Sequence, residues 1–286
     1  MCRMAAYISS GKGPVPACLA EGPRSLPAQV SADPSRPQAD GWGVGRLAPG
    51  GRTAALVRRA GPLAEEPRAF SRALRAAAGP GVLIAHARAA SNPLGLSRAR
   101  LLRPENSHPF QAEGLLFAHN GTLDIAAEIR ENLGSGAGRL RGGSDSEVLF
   151  RQVIKMRDAY GDLALAVEMA LDEIWTVWGS CSGDRRDLKA PYRGLNLFVS
   201  DGSRLCALCH YPGAGKKRAL LTPGWGWGRL AWRTTPGGAL FSSEPLDAGR
   251  WRGLADGQLA EAALEGGEVK ISVRGLGAAS GKAAAI

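Results

Sequence analysis

Four short segments of the chain contain residue types that could perform chemistry. The first places a cysteine thiol, a strong nucleophile, at position 2. The others combine histidine, arginine, asparagine and aspartate with glycine, and they contain three of the four histidines. Each segment alone has an ordinary structural explanation, so only their conjunction indicates a reactive site. The segments are residues 1–3, residues 40–45, residues 86–88 with 106–110, and residues 119–121 with 144–147.

Cys2 is the candidate nucleophile because its position could activate it. Once Met1 is removed, Cys2 carries both a thiol and a free α-amine. An α-amine has a pKa of about 7.7–8.0, so it can accept the thiol proton near neutral pH. One residue would then supply both nucleophile and base, and the histidines would need another role.

The elements that must hold these segments follow the order strands, helices, strands. Alternation of apolar residues predicts a first strand at residues 2–9 and a hairpin of strands 41–48 and 53–59. Residues 10–40, rich in Pro, Gly and Ser, show no regular period and are predicted to be a long loop. The order favours a layered α+β fold over a parallel βαβ sheet. Further strands are predicted at 82–90, 114–119, 195–200, 203–209, 218–222, 229–233, 238–243 and 268–273, and helices at 65–78, 122–133 and 162–177.

Another helix is marked by its first residues. Ser144 precedes Glu147 by three positions, which is the pattern of a capping box. Upstream, Asn120-Gly121 is predicted to form a turn before the helix at 122–133. The apolar residues after the capping box recur at helical spacing and predict a buried stripe of Val148, Leu149, Val153 and Met156.

Composition limits the classes of protein and partner. The 286 residues carry a net charge of +10, but the arginines are scattered along the chain, so we expect no nucleic-acid partner. No stretch approaches the roughly 20 apolar residues of a membrane span, so no membrane association is expected. Residues 1–3 lead directly into a mixed segment and not into a signal peptide. Five irregularly spaced cysteines do not suggest disulfides, and a cytoplasmic location is expected.

Two segments match cofactor motifs only in part. Cys206, Cys209 and His210 have the spacing of a c-type haem attachment site, but a predicted strand there places the two cysteines on opposite faces. No second pair of ligands has a spacing that suggests zinc. The glycine-rich residues 41–45 continue into a hairpin, whereas a dinucleotide loop continues into a helix. We therefore expect no cofactor and no metal.

The order of the motifs resembles that of the class-II glutamine amidotransferases over about 150 residues. That order is Met-Cys, Asp-Gly-Trp-Gly-Val-Gly, His-x-Arg, Ser-His-Pro, His-Asn-Gly and Ser-Asp-x-Glu. It is most similar to the stand-alone branch that includes the γ-glutamyl hydrolase of ergothioneine biosynthesis and the glutathione-degrading enzymes. The Ser-Glu-Pro segment at 243–245 is similar to a segment of that branch.

The resemblance implies a role for each site residue. Cys2 would attack the γ-carbonyl of glutamine or of a γ-glutamyl compound and form a thioester that water hydrolyses. The side chain of Asn120 and the backbone N–H of Gly121 would form the oxyanion hole. Arg88 would hold the substrate α-carboxylate, and Asp145 its α-ammonium group. The remaining assignments are Ser91 to the substrate pocket and His86, His108 and His119 to supporting hydrogen bonds.

Three features depart from the pattern of the family. Ala89 and Ser91 stand where many synthase-linked members have tryptophan and threonine, and Asp124 stands where other residues are common. Residues 180–193 match nothing in the pattern. These departures concern specificity for free glutamine and leave recognition of the γ-glutamyl end unchanged.

The implied fold is the four-layer αββα sandwich of the N-terminal-nucleophile hydrolases. It would comprise a single domain of residues 2–274 and a disordered tail at 275–286. The strands after residue 195 complete this sandwich, so no part of the chain is left for an ammonia-using synthase. Three hypotheses follow: a free-standing hydrolase of a γ-glutamyl metabolite, a glutaminase subunit that supplies ammonia to a separate synthase, and a catalytically silent module that binds a γ-glutamyl ligand. Oligomeric state has no signature in the sequence.

Overall fold

Two antiparallel sheets form the centre of the protein. The computed structural model describes residues 2–11, 13–33, 37–211 and 220–277. The strands are β1 (Arg3–Ser9), β2 (Trp42–Leu47), β3 (Thr53–Arg59), β4 (Gly81–Ala87), β5 (Phe110–Ala112), β6 (Leu115–Leu123), β7 (Tyr192–Ser200), β8 (Arg204–Cys209), β9 (Leu230–Thr235), β10 (Gly238–Ser242), β11 (Arg252–Leu254), β12 (Gln258–Glu265) and β13 (Glu268–Gly275).

Helices connect the strands and cover the sheets. The α-helices are α1 (Leu26–Ser31), α2 (Pro67–Ala76), α3 (Arg98–Leu101), α4 (Ala126–Glu131), α5 (Asp145–Tyr160) and α6 (Leu163–Cys181). Short 3₁₀ helices occur at Ala17–Leu19, Leu63–Glu65, Pro104–Asn106 and Gly134–Arg139. Within the described ranges, no helix is both long and apolar enough to cross a lipid bilayer.

The first strand lies in the interior of its sheet. The seven-stranded sheet has the order β11-β9-β10-β1-β4-β2-β3, and the six-stranded sheet has the order β13-β12-β8-β7-β6-β5. β1 pairs with β10 on one side, with Ala5 opposite Ser242, and with β4 on the other, with Arg3 opposite Ala87. The start of the chain is therefore fixed by strands from its first and last thirds.

Three apolar clusters separate four layers. One cluster lies between the sheets and includes Met4 and Phe198. A second joins the six-stranded sheet to α4, α5 and α6 and includes Phe150. A third joins the outer face of the seven-stranded sheet to α1 and α2 and includes Trp42 and Phe70. The predicted α+β sandwich with the layer order αββα is confirmed.

Several predicted elements are confirmed. The first strand, the β2–β3 hairpin, α2 and the paired helices α5 and α6 all occur where the apolar periodicity placed them. The four residues of the predicted stripe on α5 are buried. Cys206 and Cys209 lie in different apolar clusters on opposite faces of β8, as the strand prediction required.

Other predictions are wrong. Asn120 and Gly121 do not form a turn, because β6 continues through them to Leu123 and pairs there with β7. The stretch at 10–40 contains α1, whose first turn is capped by the Ser25 side chain. The strand predicted at 218–222 is absent at its described residues 220–222. Most of the tail predicted at 275–286 lies outside the described residues, and Gly275 still belongs to β13.

A chain of hydrogen-bonded side chains lies beside β7, and we call it the Tyr192 cluster: the buried Tyr192 and His210, the half-buried Trp175 and the exposed Asp256. The Trp175 Nε1–H donates to the Tyr192 hydroxyl at 3.0 Å, and that hydroxyl lies 2.6 Å from His210 Nε2. The other ring nitrogen of His210 lies 2.9 Å from Asp256 Oδ1. This chain of hydrogen bonds joins α6 to the end of β8 and the turn before β12.

Candidate active site

Cys2 lies immediately before β1, at the end of the space between the sheets. Even-numbered residues of β1 face the other sheet, so strand alternation turns Cys2 inward as well. The side chain is buried, and the Ala89 N–H donates to its sulfur at 3.3 Å. Burial raises the pKa of the Cys2 thiol, against the lowering effects of the Ala89 N–H and the Arg88 charge. The thiol is therefore protonated at neutral pH and needs a base to react.

Arg88 extends from the end of β4 next to Cys2. Its Nη1 donates to the Leu101 carbonyl at 2.8 Å, and it is almost fully buried. Burial lowers the Arg88 pKa, and the nearby Cys2, Asp40 and Asp145 raise it. Among the described residues, Arg88 makes no ion pair. A buried cation without a paired anion is costly, and an incoming carboxylate would satisfy it.

Asp40 fixes the backbone that carries these groups. Its carboxylate accepts from the Ala90 N–H at 2.9 Å, and its own N–H donates to the Arg88 carbonyl at 3.1 Å. The Arg88 N–H donates to Gly41 O at 2.8 Å. Asp40 begins the Asp-Gly-Trp-Gly-Val-Gly motif, and the motif alone predicted no role for it. The structure shows that it holds the Arg88–Ala90 segment against Cys2.

Asn120 connects β6 to Cys2. Its Nδ2 donates to the backbone carbonyl of Cys2 at 3.0 Å, and its Oδ1 has no partner among the described residues. An amide nitrogen carries two hydrogens, so one remains for a ligand. The side chain is 3% exposed. The neighbouring strand fixes its backbone, since Asn120 lies opposite Asn196 of β7.

Gly121 has no room for a side chain. A Cβ atom there would lie 1.8 Å from the Gly194 carbonyl oxygen and 2.7 Å from His119 Nε2. Gly121 is not among the residues with positive φ, so close approach, and not unusual backbone angles, explains the glycine. β6 and β7 can therefore approach this closely at Gly121 only because the position lacks a Cβ.

Asp145 is the first residue of α5 and is 3% exposed. Its Oδ2 accepts from the Leu123 N–H at 3.0 Å, at the end of β6. Burial raises the pKa of Asp145 to about 6, against the lowering effects of the Leu123 and Ser146 N–H groups and Arg88. The Asp145 charge in turn raises the pKa of the Cys2 thiol.

His86, His108 and His119 form what we call the histidine cluster. The His86 Nε2–H donates to the His119 carbonyl at 3.2 Å, and the rings of His86 and His108 lie 4.3 Å apart. The His119 Nε2–H donates to Gly194 O at 3.2 Å, and its Nδ1 lies 2.9 Å from Ser146 Oγ. Burial lowers the pKa of His86 to about 3, that of His119 to about 4, and that of His108 well below its ordinary value. All three rings are neutral, and none of them hydrogen-bonds to the Cys2 sulfur within the described part of the chain.

The predicted capping box is half formed. Ser144 Oγ accepts from the Glu147 N–H at 3.3 Å, as expected. The Glu147 carboxylate does not reach back to Ser144 but accepts from the N–H groups of Arg141, Gly142 and Gly143 at 2.7–2.9 Å. Glu147 thus folds the loop before α5 and sets the position of Asp145.

Ser91 and Asp124 lie outside the group formed by Cys2, Arg88, Asn120 and Asp145. Ser91 is half-buried in the loop after β4, and no hydrogen bond joins it to the other candidate residues among those described. Asp124 is buried and makes a two-pronged ion pair with Arg193, at the end of the 180–193 insertion. The insertion therefore contacts the end of β6, close to Asn120 and Gly121.

Arg3 and Glu244 form a buried support that the sequence analysis missed. Glu244, within the Ser-Glu-Pro segment, lies 3.5 Å from the Arg3 guanidinium. Its carboxylate also accepts from the N–H groups of Leu220, Leu221 and Thr222 at 2.5–3.1 Å. The available signal was the Ser-Glu-Pro segment at 243–245, in which no role was predicted for Glu244. No group of three or more His, Cys, Asp or Glu side chains in the described ranges is arranged to hold a metal ion.

Comparison with known proteins adds to this geometry. A sequence model of the class-II glutamine amidotransferases matches residues 28–217. Among curated proteins, no sequence matches this chain. A glutamine aminotransferase class-II domain protein from Silicibacter pomeroyi is similar in structure, with a TM-score of 0.56, 20% identity, and coverage of 96% of this chain and 100% of that one. The glutamine phosphoribosylpyrophosphate amidotransferase from B. subtilis gives a TM-score of 0.57 at 16% identity, with coverage of 95% of this chain and 49% of that one.

The two sheets and their covering helices have the fold of the N-terminal-nucleophile amidotransferases. The match of the family model extends over more than half of the chain and includes the segments with Arg88, Asn120 and Asp145. This chain belongs to the class-II glutamine amidotransferase family.

Proposed function

We propose that this protein hydrolyses the γ-amide of glutamine or of a γ-glutamyl compound through a thioester on Cys2. The observation that carries the proposal is the convergence at one end of the sandwich of a thiol, an amide donor and two opposite charges. Asn120 donates to the Cys2 carbonyl at 3.0 Å, and the N–H of Ala89, the residue after Arg88, donates to the Cys2 sulfur at 3.3 Å. Asp145 accepts from Leu123, three residues along β6 from Asn120. The α-carboxylate and α-ammonium groups of glutamine or of a γ-glutamyl compound would complement the charges of Arg88 and Asp145.

The base in the proposed reaction is the α-amine of Cys2 after Met1 is removed. Burial raises the thiol pKa, so a proton acceptor is required. The three nearby histidines make no described hydrogen bond to the sulfur and have pKa values far below neutral. An α-amine titrates near pH 8 and lies on the same residue, so it supplies the missing base.

The proposed steps conserve every atom and proton. The α-amine takes the thiol proton, and the thiolate attacks the γ-carbonyl carbon to form a C–S bond and an oxyanion. The second N–H of Asn120 and the Gly121 backbone N–H donate to that oxyanion. Collapse breaks the C–N bond, and the α-ammonium protonates the departing amine. Water then attacks the thioester with the α-amine again as base, which releases glutamate and restores the thiol.

Recognition would come from the amino-acid end of the substrate. The Arg88 guanidinium has no paired anion among the described residues and would bind the α-carboxylate. The Asp145 carboxylate, largely ionised at pH 7, would bind the α-ammonium. We place Ser91 at the edge of this pocket and assign His86, His108 and His119 to its support.

The test is intact-mass spectrometry before and after exposure to a glutamine-like diazo-ketone. We expect loss of Met1 and a single adduct in the wild-type protein and no adduct in Cys2→Ala. Cys181→Ala is the matched control, because Cys181 is a more exposed free thiol at the end of α6 and its loss should leave the adduct in place. Retention of Met1, or an adduct that persists in Cys2→Ala, would exclude the proposed nucleophile.

The physiological setting follows from whether a partner is needed. We propose a free-standing cytoplasmic hydrolase, formed by residues 2–274 as one domain, and related to the stand-alone branch of the family. The alternative is a glutaminase subunit that supplies ammonia to a separate synthase partner; this protein covers about half of the chain of the B. subtilis amidotransferase. Glutamate release by the isolated protein supports the first, and release only with an added partner supports the second. Binding of a γ-glutamyl ligand without release would indicate a silent binding module.

A further inference from the structure

A basic and aromatic groove lies where the edge strands of the two sheets meet, far in sequence from Cys2. β11 ends the seven-stranded sheet and β13 ends the six-stranded sheet. Between them is an open groove of about 920 Å³ that includes residues of β9, β11 and β13. We call it the edge groove. Its main side chains are Trp232, Arg233, Arg250, Trp251, Arg252 and Ile271.

Arginine and tryptophan alternate in the edge groove because β9 and β11 pair. Arg252 lies opposite Trp232 in the register, and its guanidinium lies 5.0 Å from that ring. The Arg233 guanidinium lies 5.0 Å from the ring of Trp251. Stacking holds a guanidinium plane in place while its N–H groups remain directed outward for hydrogen bonds. These cations are therefore oriented before any ligand arrives.

The charge of the edge groove is not balanced from within. Arg233 pairs with Asp247 at 2.7 Å. Arg250 and Arg252 are exposed, and neither makes an ion pair with any described residue. Arg252, which is stacked on Trp232, and the nearby Arg250 therefore present two unpaired guanidinium groups, each of which fits a carboxylate in the two-pronged geometry.

We propose that the edge groove binds an acidic segment of a partner protein, through Asp or Glu side chains placed on Arg250 and Arg252. This proposal goes beyond the hydrolase function and does not depend on it. A second copy of the chain is a poor occupant, because the protein carries a net charge of +10. The C-terminal residues 278–286 contain a lysine and no acidic side chain, so they do not complement the groove either.

Single-stranded nucleic acid fits the groove less well than an acidic polypeptide. Binding of single strands depends on aromatic faces on which bases can stack. Trp232 is 8% exposed and already packs against both Phe241 and Arg252. Trp251 is covered by Arg233, and its Nε1–H donates to Asp247 at 3.0 Å. The rings therefore support the arginines and offer no free stacking platform.

The test is fluorescence anisotropy with a labelled synthetic peptide of alternating Glu and Ser and, in parallel, a labelled oligothymidylate of equal charge. The variant Arg250→Glu/Arg252→Glu is compared with Arg68→Glu/Arg72→Glu, which reverses two exposed arginines on α2 and changes the net charge equally. We expect the edge-groove variant to weaken peptide binding by about tenfold or more and the control variant by less than about threefold. Cys2→Ala should bind the peptide as the wild-type protein does, since the two sites are separate.

Two outcomes would overturn the proposal. Equal losses in the two charge-reversal variants would mean that the peptide senses only the overall positive charge. Tighter binding of the oligothymidylate than of the peptide, with the loss confined to Arg250→Glu/Arg252→Glu, would make the groove a nucleic-acid site. Circular dichroism of each variant shows whether the fold is retained. Glutamate release by Arg250→Glu/Arg252→Glu should equal that of the wild-type protein, which separates failure of this proposal from failure of the hydrolase proposal.

Discussion

The histidine cluster and the Tyr192 cluster both lie against β7, yet their hydrogen bonds differ in completeness. In the Tyr192 cluster, the Trp175 N–H, the Tyr192 hydroxyl and both His210 ring nitrogens have partners. In the histidine cluster and the adjoining amide, the unpartnered buried atoms within the described ranges are His86 Nδ1, both ring nitrogens of His108, and Asn120 Oδ1. The cluster nearest the nucleophile is the one with free polar atoms.

This difference separates a structural role from a ligand-binding one. A buried polar atom without a partner costs about 1–3 kcal/mol, so native structures contain few. Several such atoms in the histidine cluster and on Asn120 indicate a site whose hydrogen bonds are completed by a bound substrate. The Tyr192 cluster needs no such ligand, and its bonds act to join α6, β7 and β8. Four changes would test this contrast, beginning with the one of largest expected effect.

Of the four changes, Gly121→Ala should reduce glutamate release most. The new Cβ would collide with the Gly194 carbonyl and with His119, so β6 must move away from β7 at the proposed oxyanion hole. We expect kcat for glutamate release to fall by about 10²–10³-fold, the usual cost of losing an oxyanion donor. Gly138→Ala is the control, because a Cβ at Gly138 meets nothing within 4 Å. An active Gly121→Ala would show that the strand tolerates the shift and that its position does not matter for catalysis.

Tyr192→Phe should interrupt the hydrogen bonds of the Tyr192 cluster and leave the candidate active site unchanged. It removes the hydroxyl that joins Trp175 to His210, and it leaves two buried polar atoms unpaired. We expect the free energy of unfolding to fall by about 1–3 kcal/mol in denaturant titrations, with KM unchanged. Tyr160→Phe, at a tyrosine that is 50% exposed, should have no effect. A raised KM without loss of stability would assign the Tyr192 cluster to the active site.

Asp145 should impose a pH dependence on binding. Its folded-state pKa of about 6 lies above the ordinary value of 3.8, so stability from this group is lost as pH rises between about 4 and 6. The charged carboxylate needed for an ammonium ligand is instead gained over the same rise. We expect KM to fall about fivefold from pH 5 to 6, about twofold more from pH 6 to 7, and to level above pH 7. The same profile in Asp145→Asn would refute the assignment, since that variant cannot titrate there.

His108→Phe should have the smallest effect on stability. Neither ring nitrogen of His108 has a described partner, and the ring packs between His86 and Phe110 at 4.3–4.4 Å. Replacing an unpaired polar ring with an apolar one should change the free energy of unfolding by less than about 1 kcal/mol. A loss equal to that of Tyr192→Phe would mean that bound water completes the bonds of His108, and the contrast between the clusters would fail.

The sequence predicted the elements with strong local signals. α5 has an N-capping serine and an apolar stripe, and the β2–β3 hairpin has a glycine-rich turn. α1 was missed because its Ser25 cap and its proline lie within a stretch of turn-forming residues. β12 was missed because its Ala- and Glu-rich sequence favours helix, and pairing with β8 and β13 overrides that preference.

Long-range contacts account for what the sequence could not indicate at the sites. Asn-Gly usually forms a turn, but the approach of Gly194 keeps Asn120 and Gly121 in β6. The order of the motifs predicted the candidate site residues. It did not predict the roles of Asp40 and Glu244, because their carboxylates accept hydrogen bonds from backbone N–H groups that are distant in sequence. The edge groove could not be predicted from the sequence, because its arginines come from two segments that only the pairing of β9 with β11 brings together.

The central position of β1 has a consequence for the timing of synthesis. Ala5 pairs with Ser242, so the strand that follows the nucleophile cannot complete its hydrogen bonds until almost the whole chain has been made. At usual rates of translation, this interval is on the order of ten seconds or more. The proposed reaction requires removal of Met1, which would still be accessible to an aminopeptidase during that time. Under that proposal, Cys2 is processed before it is enclosed and reacts only after the last strands of its sheet are in place.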